Sequence, residues 1–148
     1  MTKDTPYLFD GPHWQVDAVR DLDVFFANLH ALVPSESVIC LAGGSWSEER
    51  KAFLHTHALD KSHSLRLPDE FEHAPRIPVN IETMLTLADM ARRHAEPEIA
   101  IHLCVCAGKQ SVLEWYDLTD DPISFSRLLP EEKIAQFAVR CGVGFRKV

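Results

Sequence analysis

The chain has 148 residues, a formal net charge of -7 and 46% hydrophobic residues, enough for one domain with its own core and no need of a disulfide or metal to hold it. The acidic balance argues against nucleic-acid binding, which needs clustered Lys and Arg, and suits a basic partner or plain solubility. The apolar runs are too short to cross a bilayer and Met1-Thr2-Lys3-Asp4-Thr5-Pro6 lacks the apolar core of a signal peptide, so a cytoplasmic protein that binds no membrane is expected.

Residues 1 to 15 carry Pro6, Gly11 and Pro12 among Tyr7, Phe9 and Trp14, the pattern of an irregular arm packed down by its rings, with room for a short strand. From Val16 to Val33 the positions Val19, Leu22, Phe26, Leu29 and Val33 recur at helical spacing, predicting a helix stopped by Pro34. Ser37 to Ala42 is a short apolar run bounded by Pro34 and Gly43-Gly44, predicting a buried strand. A helix over Ser47 to Ala58 follows, capped by Ser45 or Ser47, with Glu48 and Glu49 at its positive end and Trp46, Phe53, Leu54 and Ala58 inward.

Asp60 to Val79 contains Pro68, Pro75 and Pro78, and only Ser62 to Leu67 alternates as an edge strand should. A loop this long in a small domain is a candidate for gripping a partner. Asn80 is the expected N-cap of a helix to Ala95, with Ile81, Met84, Leu85, Ala88 and Ala91 on its inner face and Pro97 ending it.

Glu98 to Asp117 reads as a β-hairpin turning at Gly108 and Lys109. On its first strand Ile101, Leu103 and Val105 face one way and His102, Cys104 and Cys106 the other, so neither face is polar and the ribbon belongs inside the sheet. A two-residue turn would put Ser111, Leu113 and Trp115 on the His102/Cys104/Cys106 face, and an odd turn would put Glu114 there instead. The two-residue turn is the commoner connection and is the one expected.

Asp117-Leu118-Thr119-Asp120-Asp121-Pro122 is an acidic turn, and Ile123 to Leu128 reads as a strand. Pro130, Glu131 and Glu132 open a last helix with the stripe Ile134, Phe137, Ala138 and Cys141, Gly142 caps it, and Val143 to Val148 can add a strand. The order predicts a single α+β domain over residues 1 to 148: a two-layer sandwich with a mainly antiparallel sheet centred on the 98–117 hairpin and about four helices.

Cys40, Cys104, Cys106 and Cys141 stand in apolar contexts with no C-x-x-C, which reads as reduced, buried thiols. His102, Cys104 and Cys106 are metal-ligand types with His57, His63 or Glu114 as a fourth, but neighbours on one strand face lie about 6.6 Å apart, awkward for three ligands on one ion. His55 and His57 are about 200° apart on a helix and cannot share a metal. Neither a metal nor a cofactor is expected.

Gly43, Gly44 and Ser45 join a strand to a helix, where free amides can bind an anion or nucleotide. The run Gly43-Gly44-Ser45-Trp46-Ser47 resembles a nucleophile elbow but has Ser47 where the second glycine belongs. Glu114, Tyr116, Asp117, Asp120 and Asp121 make an acidic, aromatic end to the hairpin without a calcium-loop pattern. The reading that combines these is a non-catalytic protein of inhibitor, antitoxin or immunity type that docks another, basic protein through that acidic surface. The alternatives are a small hydrolase or metal-dependent enzyme using His102, Cys104 and Glu114, and an anion binder at Gly43-Gly44.

Overall fold

The computed structural model describes residues 7–45, 47–60 and 67–148. Seven strands, β1 (His13–Val16), β2 (Val38–Ala42), β3 (Arg76–Pro78), β4 (His102–Ala107), β5 (Gln110–Trp115), β6 (Ile123–Ser126) and β7 (Phe145–Lys147), form one sheet in the order β3-β2-β4-β5-β6-β1-β7. Every pairing is antiparallel. The hairpin β4–β5 therefore sits at the centre of an α+β domain. Among the described residues the helices are α1 (Leu22–Leu29), α2 (Glu48–His57), α3 (Ile81–Arg93), α4 (Glu96–Ile99) and α5 (Glu131–Cys141). None is long and apolar enough to cross a membrane.

The two faces of the sheet are made of different chemistry. Ile39, Leu41, Leu103, Val105, Leu113, Trp115, Phe125 and Val16 turn to one side and join Phe25, Phe26, Met84, Leu87, Ile134 and Phe137 of the helices in the main core. Aromatic packing stitches that layer, with Phe25 4.8 Å from Trp115 and Phe125 5.6 Å from Phe137. On the other side a row of opposed positions runs across the strands: Cys40, Cys104, Glu114, Ser124, Gln15 and Arg146. Leu67, Phe71 and Ala74 cover its cysteine end in a second, smaller cluster.

Several elements differ from their sequence expectation. Val16 to Arg20 is not helical: His13–Val16 pairs with β6 and β7, and α1 begins only at Leu22. Its apolar residues suit either period, and pairing on both sides decides for the strand. In α3 the inner stripe is rotated from the expected one: Met84, Leu87, Ala88 and Met90 are buried while Ile81 and Leu85 are 59% and 50% exposed. Pro97 does not simply end α3; it stands in the first turn of the short α4, where a missing N–H is harmless. Arg76–Pro78 pairs with β2 as an edge strand, a place a proline tolerates. Of the proposed strand Ser62 to Leu67, residues 62–66 lie outside the described residues.

The hairpin holds the main correction. Its turn is the expected two-residue Gly108-Lys109, since Ala107 opposes Gln110 and Cys106 opposes Ser111. The register then shifts, so that Val105 opposes Leu113 and Cys104 opposes Glu114. Val112 is the extra residue of a β-bulge, and it joins Leu113 in the helix-side core. Leu113 and Trp115 consequently face the helices, and Glu114 stands beside Cys104 on the second face, contrary to the expectation from the turn alone.

Candidate pocket on the second sheet face

The polar half of the second face is roofed by two segments. The arm Tyr7 to Asp10, with a single helical turn at Leu8–Asp10, crosses β5 and β6, and the turn Asp69–Phe71 lies over β2 and β4. Buried Phe71 packs 5.8 Å from the Tyr116 ring. The Tyr7 hydroxyl donates to both carboxylate oxygens of Glu70 at 3.1 Å, linking the two segments. Glu114 anchors the arm from below: its Oε1 accepts the Leu8 N–H at 2.9 Å and the Tyr116 hydroxyl at 3.2 Å.

Between these roofs and the acidic turn lies a pocket of about 560 Å³. Tyr7, Phe9 and Tyr116 are its aromatic wall: Tyr7 and Phe9 stack at 5.0 Å, and Tyr116 meets both edge-on at 5.6 and 5.9 Å. Gln15, Ser124 and His102 line it from the sheet, and Glu70, Asp117 and Asp121 bring carboxylates. Among the described residues, no Lys or Arg lines it.

The acidic turn is a rim tied down by hydrogen bonds. The Trp115 indole N–H donates to the Asp121 carbonyl at 2.7 Å, Leu118 is buried, and its N–H bonds the Ile101 carbonyl at 3.0 Å. The clamp holds Asp117 and Thr119 at φ of 52° and 72°. A β-branched residue in that region is strained, and such strain persists only where surrounding contacts enforce it.

Comparison with known protein families, curated proteins and solved structures found no match to this chain.

The electrostatics follow from burial. Desolvation pushes the Glu114 carboxyl above the ordinary range, partly offset by the Leu8 N–H and by the hydroxyls of Ser111 and Tyr116. Burial, with Glu114 beside it, keeps the Tyr116 phenol protonated. Cys104 lies beneath, completely buried against Cys40 and Cys106, and burial raises its thiol well above the usual value. Burial therefore disfavours the thiolate, the form that acts as nucleophile. The Nδ1 of His102 accepts the Asp117 N–H at 2.9 Å, which leaves the ring proton on Nε2. His102 therefore presents a donor, not a base, while that bond holds.

Of the acidic and aromatic positions singled out in the sequence, Tyr116, Asp117 and Asp121 line the pocket, Glu114 supports it from within, and Asp120 lies in a shallower neighbouring hollow with Pro97 and Ile101. The structure adds Tyr7, Phe9, Glu70, Gln15 and Ser124, which sequence reasoning missed as site residues. The aromatics of the arm hinted at Tyr7 and Phe9, and the Asp60 to Val79 loop, expected to grip a partner, contains Glu70. His102, Cys104 and Glu114 share one sheet face, but among the described residues no group of three or more His, Cys, Asp or Glu could hold a metal.

Gly43, Gly44 and Ser45 are drawn into internal contacts. The Arg50 guanidinium, 7% exposed, donates from Nε to the Ile99 carbonyl at 3.1 Å and from one terminal nitrogen to the Gly43 carbonyl at 2.7 Å. The Ser45 N–H donates to the Glu98 carbonyl at 3.0 Å, and Ser47, not Ser45, caps α2 by accepting the Arg50 N–H. A Cβ on Gly44 would stand 2.7 Å from the Ile99 carbonyl oxygen.

Proposed function

We propose that this chain is a non-catalytic docking protein of inhibitor, antitoxin or immunity type, acting in the cytoplasm, and that a basic protein partner binds at the pocket and the acidic turn beside it. The observation that carries this reading is the composition of the pocket: an aromatic wall beside Glu70, Asp117 and Asp121, with no Lys or Arg among its described lining residues. Concave sites with aromatic anchors and unmatched charge are where binding energy concentrates. The hydrogen-bonded Asp117 to Asp121 rim supports the same reading, because a pre-ordered surface loses little entropy on association. The protonated Cys104 and the donor tautomer of His102 weigh against chemistry at the same face.

The test is kinetic. A partner retained from native extract by the wild-type protein is expected to associate more slowly as salt rises, and about tenfold or more slowly with Asp117, Asp120 and Asp121 changed together to Ala, at unchanged fold. An association rate indifferent to both salt and the triple substitution would remove the acidic docking surface.

One observation favours a second reading, a small hydrolase: Glu114 is a buried carboxyl held above its ordinary range beside a pocket, as general acids often are. Turnover of model esters or amides that is lost in Glu114→Gln would promote it.

A further inference from the structure

We infer that the pocket receives an arginine side chain of the basic partner, its planar guanidinium set between the aromatic wall and the carboxylates. The inference rests on the docking reading and narrows it to one chemistry. Three features of the pocket select that group.

The first is the spread of its charge. Asp117 and Asp121 belong to the rim and Glu70 to the opposite roof, and neither rim carboxylate makes an ion pair with a described residue. Among the described residues no three His, Cys, Asp or Glu converge as metal ligands. A guanidinium carries five N–H donors around a plane and can engage carboxylates on different sides at once.

The second is the wall. Phe9 is 49% exposed at the pocket mouth, and its ring stands at 87° to Tyr116, so the pocket offers both an aromatic face and an aromatic edge. Arginine stacks on such faces and is weakly hydrated, whereas the lysine ammonium is a strongly hydrated point charge that loses more on entering. The third is the neutral donor at the floor. With its proton on Nε2, His102 can donate to a main-chain carbonyl of the incoming segment without repelling the cation beside it.

The test is a nuclear magnetic resonance titration of the full chain with three blocked peptides, Gly-Arg-Gly, Gly-Lys-Gly and Gly-citrulline-Gly. Citrulline keeps the shape of arginine and removes its charge. The arginine peptide is expected to bind about tenfold or more tightly than either other peptide. It should shift the Leu8 and Asp117 backbone N–H and the Trp115 indole N–H. Asp117→Asn with Asp121→Asn should weaken it about tenfold, while near-ultraviolet dichroism shows the fold intact. Equal binding of the lysine peptide overturns the arginine assignment and leaves docking of a basic partner standing. Equal binding of the citrulline peptide, or loss of all pocket shifts while the retained partner still binds with salt dependence, overturns the assignment and moves the docking surface elsewhere.

Discussion

Glu114 concentrates the tension of the second face in one side chain. Burial raises its carboxyl, so between the ordinary carboxylate value and its own folded value the native state binds more protons than the unfolded chain. Stability therefore falls as pH rises through that window, the reverse of an ordinary ion-paired carboxylate. Glu114→Gln keeps an acceptor for the Leu8 N–H and removes the charge. It is expected to gain thermal stability relative to wild type at about pH 8 compared with about pH 4. The same gain at both pH values would contradict the assignment. The glycines give a second contrast. Gly44→Ala places a methyl against the Ile99 carbonyl at φ +102° and should cost at least about 2 kcal/mol in denaturant unfolding. Gly108→Ala, with open space around it at φ +64°, should cost about 1 kcal/mol. The thiols separate by depth. Burial pushes Cys141 up to about 11, but it is only half covered, so native alkylation should reach it well before Cys40, Cys104 and Cys106.

At the scale of elements, what could be read in advance was what local chemistry dictates. Ser47 before Glu48-Glu49, Asn80 before Ile81, and Gly142 at φ 71° after Cys141 mark helix ends through capping bonds and left-handed geometry that those residues favour. The acidic turn and the central hairpin were legible for the same reason. The α3 face was not, because Ile81, Leu85 and Leu87 are equally apolar and only packing on α1 selects among them. Leu87→Ala should cost about 2–5 kcal/mol, and Leu85→Ala should stay within about 0.5 kcal/mol, measured by urea unfolding. Equal losses would restore the unrotated stripe. The bulge at Val112 was equally hidden: the adjacent Val112-Leu113 breaks the alternation but no glycine marks it, and it appears only when β4 and β6 pair with β5 on both sides. That one residue brought Glu114 onto the pocket face.

The whole molecule works as a sheet with two dissimilar faces. One is sealed by α1, α3 and α5, and the other is closed over thiols at one end and left open over charge and aromatic rings at the other. Long-range partners build that open end: Tyr7 to Glu70, Leu8 to Glu114 and His102 to Asp117. No periodicity in the sequence encodes such pairs, which is why the rim and the Asp60 to Val79 loop could be named in advance but not their meeting with the arm around one pocket. Backbone hydrogen exchange of the chain with and without the partner it retains tests the docking pocket most directly. New protection is expected to be confined to the arm at 7–10, the roof at 69–71 and the rim at 116–122. Protection instead on the outer faces of α3 and α5, around Ile81, Leu85 and Val139, with the pocket segments exchanging as in the free chain, would contradict it.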